Sequence, residues 1–281
     1  MSGIGNIRPL SGHIGAEIAG LDLRRVGDDQ VGALRQALLD HQVLFFPAQH
    51  DMGPNDLCDF AARFGTIDPP HPALERHPDN ENVFLVQQHI GKHNEIWHSD
   101  VTFDREPPMG SVLRAVELPP YGGDTLFASM YAAWETLDPR LQRAIEGLEA
   151  IHDGSVNFTT YLFDPPQPDA EGRLARMKAE KPGAVHPLVV RHPETGRKAL
   201  YINRAFVVRI LGVTEIVSRN LIDLLCEHAE QASLQVRWRW SEGDIAFWDN
   251  RCTLHYAAND YFGHTRTMHR VTLKGTRPKA A

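Results

Sequence analysis

The chain reads as mainly β with flanking helices: a β-sandwich or barrel core, with helices packed outside it, forming one domain over residues 1–281. Candidate strands outnumber candidate helices in the second half. They do not alternate with helices in a βαβ rhythm, and no stretch resembles a linker or an internal repeat.

The elements follow from local patterns. Residues 28–41 carry an apolar stripe (Val31, Leu34, Leu38, Leu39) at helical spacing, with Asp28 or Asp29 as the cap. The run Val43-Leu44-Phe45-Phe46 reads as a buried strand that Pro47 ends. A second helix starts at Pro54, puts Leu57, Phe60, Ala61 and Phe64 on one face, and stops at Gly65. Residues 130–148 and 215–230 are further helices, the latter capped by Thr214. Ser111 to Glu117 and Ser233 to Trp240 read as strands. In the second, Leu234, Val236, Trp238 and Trp240 alternate with polar residues, so one face is apolar. Tyr121-Gly122-Gly123-Asp124 and Ser241-Glu242-Gly243-Asp244 are turns, and the latter leads into a strand from Ile245 to Trp248.

Composition narrows the function. A formal charge of −7 and a pI near 6.1 argue against nucleic acid or an anionic membrane as partner, so an anionic ligand must be held by locally placed Arg or Lys. Three cysteines, odd in number and far apart, form neither a disulfide framework nor a thiolate metal site, which suits a reducing cytoplasm. Residues 1–20 lack a signal core, and no apolar run reaches membrane-spanning length. A homo-oligomer is compatible with all of this. There is no zinc-protease helix, nucleophile elbow or phosphate-binding glycine loop.

What remains is histidine and carboxylate, and the chain has 15 His. In Trp97-His98-Ser99-Asp100-Val101-Thr102-Phe103 the flanks favour an extended segment that turns His98 and Asp100 to one face, where both can grip one metal. A third ligand would complete a two-His, one-carboxylate triad with sites open for oxygen chemistry at iron(II). Taken alone, the pair suits a surface or hydrogen-bonded core role better than a metal, since a His-x-Asp triplet arises by chance about once in such a chain. His77-Pro78-Asp79 and His192-Pro193-Glu194 sit in turn-like surroundings, and His93-Asn94-Glu95 in a polar loop. Near the end, His255 follows a buried strand. Arg266 and Arg270 sit four apart on an extended run, which either presents two bidentate forks to two anions or makes a solvated basic edge.

Together these segments resemble the taurine/2-oxoglutarate dioxygenase family of iron(II) enzymes, from about Ile7 to Arg277. The markers are Trp97 to Phe103, Gly122-Gly123-Asp124-Thr125-Leu126, Val236-Arg237-Trp238-Arg239-Trp240, Trp248-Asp249-Asn250-Arg251, His255-Tyr256 and Met268-His269-Arg270. The order and spacing also match, with His255 lying 155 residues after Asp100 and Arg266 11 after His255. The resemblance implies a double-stranded β-helix (jelly roll) with the metal at one mouth. It implies that His98, Asp100 and His255 ligate iron(II), and that Arg266 and Thr125 hold the distal end of 2-oxoglutarate. His71 and Arg270 would take a sulfonate or sulfate, with Asn94, Phe158 and Phe206 shaping the pocket. His71 also suits a rigid loop between prolines, and Phe158 and Phe206 also suit ordinary core.

The implied reaction consumes O2 and 2-oxoglutarate and hydroxylates the carbon next to sulfur in a small alkanesulfonate. Taurine is the first candidate, giving sulfite, aminoacetaldehyde, succinate and CO2 in sulfur metabolism. Asn94 would pair with the taurine amine, whereas a long alkyl sulfate needs an apolar groove. Alkyl sulfate esters are the alternative substrate, and a non-catalytic metal- or anion-binding β-helix is a distant one. One departure stands out: Leu74 occupies the position where taurine enzymes of the family can carry a tyrosine.

Overall fold

The computed structural model of the protein describes residues 3–68, 75–88, 96–163 and 168–281. His71, Leu74 and Asn94 lie outside them. The largest sheet runs, neighbour by neighbour, through Ile7–Pro9, Ala16–Ile18, Val43–Phe46, Ile245–Asp249, Gly110–Glu117, Arg266–Leu273, Asn80–Gln88 and Arg76–His77; Ile67–Asp68 also pairs with Arg266–Leu273. Pairing is antiparallel except where Ala16–Ile18 meets Val43–Phe46. A smaller antiparallel sheet places Thr125–Ser129 between Gln235–Trp238 and Thr253–Ala257. Two further three-stranded sheets are built from strands between Glu149 and Ala280.

Side-chain parity explains how the two principal sheets stack. In Val43–Phe46, Val43 and Phe45 join Phe127, Val236 and Trp248 in a core between the sheets, while Leu44 and Phe46 face outward toward helices. Ile245–Asp249 divides the same way, with Ala246 and Trp248 inward and Ile245 and Phe247 outward. A strand buried on both faces needs no polar alternation, which is why Val43–Phe46 is a continuous apolar run. The result is the expected double-stranded β-helix. In Arg266–Leu273 the inward set contains Met268 and the outward set Val271 and Leu273. Arg266 and Arg270 share the parity of Met268, so both enter the space between the sheets rather than forming a solvated basic edge.

Seven α-helices are present among the described residues. Helix α1 (Asp28–His41) and α2 (Pro54–Ala62) cover the outer face of the large sheet through Leu34, Ala37, Leu38, Leu57, Phe60 and Ala61. The cap of α1 is Gly27 rather than Asp28 or Asp29: Gln30 reaches back to accept the Gly27 N–H at 2.9 Å, and the two aspartates sit in the first turn, where they favour the helix dipole. The expected helix over 130–148 is two helices, α3 (Met130–Glu135) and α4 (Pro139–Ile145). Pro139 disfavours helical backbone at Asp138, which instead caps α4. Helices α5 (Ser155–Phe163) and α6 (Ala170–Glu180) have no counterpart in the sequence reading. Helix α7 (Glu215–Ala229) starts after Thr214 as expected, although the threonine side chain makes no capping bond. The strand expected over 233–240 is shortened to Gln235–Trp238 by a 3-10 turn at Ala232–Leu234. No helix among the described residues is long and apolar enough to cross a membrane.

Candidate active site

His255 lies within Thr253–Ala257 and exchanges two main-chain hydrogen bonds with His98, at 3.0 and 2.7 Å. This single bridge adds His98 to the edge of the smaller sheet and sets the two imidazoles 4.1 Å apart. Beyond His98 the extended geometry ends. Asp100 opens a turn, and Val101 adopts a φ of 50°. His98 and Asp100 therefore converge through a turn, not along one face of a strand. Asp100 Oδ1 lies 3.8 Å from His98 Nε2 and 3.7 Å from His255 Nε2, and all three ligand atoms fall within 4.8 Å of one another.

The electrostatics suit a metal. His98 Nδ1 donates to the Ile96 carbonyl at 2.8 Å, which leaves the Nε2 lone pair facing Asp100. Burial pulls His98 down to about 4, against the Ile96 bond that raises it, and Arg270 adds to the pull. Burial and the neighbouring His98 hold His255 well below the ordinary range. Both rings are thus neutral near pH 7, the form that ligates metals. Two imidazoles and one carboxylate without a thiolate match the donor set of iron(II) oxygenases.

Arg266 and Arg270 leave the same face of the large sheet and meet different partners: Arg270 reaches this cluster, and Arg266 reaches Thr125 of the smaller sheet. Arg266 is 2% exposed. Its Nε donates to the Gly123 carbonyl at 3.0 Å and its Nη2 to Thr125 Oγ1 at 3.4 Å. Gly123 has a φ of 72°, which strains any other residue, and a Cβ there would crowd Arg266 Cδ at 3.0 Å. Trp240 Nε1 donates to Thr125 Oγ1 at 2.9 Å and fixes the hydroxyl. Among the described residues Arg266 has no carboxylate partner, and burial lowers it to about 10. Arg270 donates to Asp100 Oδ2 and, at 2.9 Å, to Ser111 Oγ. Its guanidinium lies over Trp248 at 4.9 Å and Phe84 at 5.2 Å, and burial lowers it to about 9.

Phe206 stands 6.2 Å from the His98 ring and 4.9 Å from Phe103, and Phe158 lies 5.7 Å from Phe103. With Ile96, Val101, Leu174 and Met177 they form an apolar cluster roofed by α5 and α6. Phe206 is therefore a core residue that also stands beside His98, and Phe158 packs behind it through Phe103.

A second cluster joins His192, Asp249 and Cys252. With Pro193 next to it, His192 is predicted to be a turn residue. It does lie beside a turn, but its ring is buried, with Nε2 3.0 Å from Asp249 Oδ2 and Nδ1 accepting two backbone N–H groups. Asp249 also takes two bonds from Arg251, at 2.8 and 2.6 Å. Burial pushes the Asp249 carboxyl up, but Arg251 and His192 outweigh it and hold it below the usual carboxylate range. Trp240, Trp248, Ser111 and Asn250 also support the site. The first, second and fourth belong to motifs quoted above without a role, whereas no sequence signal marks Ser111.

The sequence profile described as taurine catabolism dioxygenase TauD, TfdA family matches residues 6–272. Among similar proteins, an alkylsulfatase of Acinetobacter baylyi is 36% identical over 96% of this chain and 84% of its own length. An alpha-ketoglutarate-dependent sulfate ester dioxygenase of Pseudomonas putida is 35% identical over 97% of this chain and 90% of its own. The crystal structure of a taurine dioxygenase from Burkholderia xenovorans superposes with a TM-score of 0.81 at 36% identity, covering 97% of this chain and 90% of that one. The chain belongs to the TauD/TfdA family, and with it to the 2-oxoglutarate-dependent dioxygenases.

Proposed function

We propose that residues 1–281 act as one cytoplasmic Fe(II)- and 2-oxoglutarate-dependent dioxygenase domain. Its substrate is a small molecule bearing a sulfur oxyanion, an alkyl sulfate ester first and a sulfonate such as taurine second. The observation that carries the chemistry is the pairing of the His98–Asp100–His255 triad with Arg266, a buried cation lacking a carboxylate partner among the described residues.

His98, Asp100 and His255 would hold the metal. Bound iron(II), with O2 and 2-oxoglutarate, supplies the oxidising power for C–H hydroxylation, while the protein supplies geometry and charge. Arg266 and Thr125 receive the distal carboxylate of 2-oxoglutarate, and the bond from Trp240 holds the threonine hydroxyl in place. Arg270, with His71, draws the sulfur oxyanion toward the Asp100 side of the triad and so orients the adjacent carbon. Asn94 remains the proposed polar contact for the rest of the substrate.

Hydroxylating the carbon of R–CH2–OSO3⁻ gives R–CH(OH)–OSO3⁻, which loses hydrogensulfate to leave the aldehyde. A sulfonate hydroxylated at the same position loses sulfite instead. In both cases 2-oxoglutarate loses its 1-carboxylate as CO2; one atom of O2 enters the succinate and the other becomes the hydroxyl on the substrate carbon.

Phe206 beside His98, backed by the apolar cluster of Phe103 and Phe158, supports an ester with an alkyl tail over doubly polar taurine. The names of the two relatives at 35–36% identity point the same way. Each buried methylene contributes about 0.8 kcal/mol, so burial of about two or three methylenes of the tail should put hexyl sulfate about tenfold to a hundredfold above taurine in kcat/KM. Iron-loaded enzyme with each substrate, read by succinate together with sulfate or sulfite, decides it. A larger kcat/KM for taurine, with sulfite released, would overturn the ester reading and leave the iron chemistry untouched.

A further inference from the structure

Asp100 is held at its main chain as well as at its carboxylate. Its N–H donates to Asn250 Oδ1 at 2.7 Å, and Asn250 Nδ2 donates back to the Asp100 carbonyl at 3.0 Å and to the Pro108 carbonyl at 3.1 Å. One amide thus satisfies three buried backbone groups, and Asn250 itself is 1% exposed. A carboxamide offers an acceptor and two donors on a single planar head, a combination that neither aspartate nor serine reproduces.

The platform carrying that amide is fixed independently. The Asn250 N–H donates to the Met109 carbonyl at 2.9 Å, and the Asp249 N–H to the Gln42 carbonyl at 2.9 Å. Thr253 Oγ1 donates to the Asp249 carbonyl at 2.8 Å, and Arg251 clasps the Asp249 carboxylate. On the other side, Asp100 stands at a turn whose next residue has a left-handed φ, a backbone geometry that needs support from its surroundings.

We infer that Asn250 is the positioning residue of Asp100: its amide holds the turn so that the carboxylate faces His98 and His255. This rests on the reading of Asp100 as a metal ligand. It gives the Trp248-Asp249-Asn250-Arg251 segment a division of labour. Asp249 and Arg251 anchor the turn, Asn250 orients the ligand, and Trp248 lies against His255 and Arg270, at 5.0 and 4.9 Å.

The test is a Mn(II) titration of apoprotein with 2-oxoglutarate present, followed by electron paramagnetic resonance. Asn250→Ala, Asn250→Asp, Asp100→Ala and Thr253→Val are compared with wild type, and each is checked for a cooperative thermal transition. Thr253→Val is the matched control, since it removes one bond of the same turn without touching Asp100. Partners behind a ligand typically matter about 10- to 100-fold in metal affinity, so Asn250→Ala should weaken Mn(II) within that range. Asn250→Asp keeps the acceptor for the Asp100 N–H and should sit at the lower end, and it decides the matter if the alanine variant does not fold. Thr253→Val, which leaves every bond to Asp100 in place, should stay closer to wild type than either Asn250 variant. Wild-type affinity in folded Asn250 variants, with binding lost in Asp100→Ala, would overturn the positioning role and leave the ligand reading intact. Wild-type affinity in Asp100→Ala would overturn both.

Discussion

Asp100 and Asp249 are both buried aspartates flanked by histidine and arginine, each in a group whose ligand atoms lie within 4.8 Å. Their surroundings differ in what is left over. Around Asp249, Arg251 supplies a two-bond fork, His192 turns its N–H inward, and the other His192 nitrogen is taken by backbone. Arg251 continues to Glu194 at 2.8 Å, and Glu194 to Arg35 at 2.7 Å, so charge is neutralised outward along a chain of pairs. Around Asp100, Arg270 takes only the outer oxygen, and both histidines present Nε2 toward the inner one. The arginines repeat the contrast: burial pulls both down, but at Arg251 the Asp249 and Glu194 carboxylates outweigh it and raise the group, while Arg266 stays lowered. A buried cluster that is fully satisfied builds the fold, whereas one with spare lone pairs or an unmatched cation has chemistry left to offer.

Substitutions break this comparison most sharply at the first cluster. His98→Ala, Asp100→Ala and His255→Ala should each abolish turnover in a folded protein, while His192→Phe leaves metal binding in place. Iron(II), and not zinc(II), should restore activity to apoprotein, because zinc has no redox chemistry. Full activity in any one triad variant would refute the assignment of that residue.

The next effect falls on stability. Arg251→Met leaves Asp249 buried without its main counter-ion and should cost about 3–5 kcal/mol in urea denaturation of the apoprotein. Metal affinity per folded molecule should change far less. An Arg251→Met protein as stable as wild type would mean that the second cluster does not hold the fold.

The smallest effect separates the two inward arginines. Arg266→Ala should weaken 2-oxoglutarate by about 10- to 150-fold, the loss of one charge-assisted interaction of about 1.5–3 kcal/mol. At a hundred times the wild-type Kd, where 2-oxoglutarate stabilises wild type by about 2.7 kcal/mol, the same variant should lose about 1.3–2.4 kcal/mol of that stabilisation. Arg270→Ala should instead raise KM for the sulfur substrate. If both variants shifted the same ligand, the division between the two arginines would be wrong.

The legible parts of the fold are those set by neighbours in the chain. The run Val43–Phe46, the alternation around Val236 and the helix starts at Pro54 and Thr214 depend on local periodicity and caps, and they recur in three dimensions within a residue or two. The parity of Arg266 and Arg270 is equally local, since a strand repeats every two residues. The break at Asp138 is encoded in Pro139, but the apolar content of residues 130–148 continues across it and masks the break. Helices α5 and α6 are harder to read because their apolar residues face a cluster assembled from distant segments, Phe103 and Phe206 among them.

By itself the sequence determined the inventory and order of the site: His98 and Asp100 two apart, His255 far downstream, and the arginines four apart on one strand. Only the tertiary structure decided which histidine–aspartate groups are saturated. His192 and Asp249 meet across 57 residues, and Asn250 and Asp100 across 150. Whether a buried polar atom keeps a free lone pair depends on every group that reaches it in space, and hydrogen-bond partners so remote leave no local pattern in the chain.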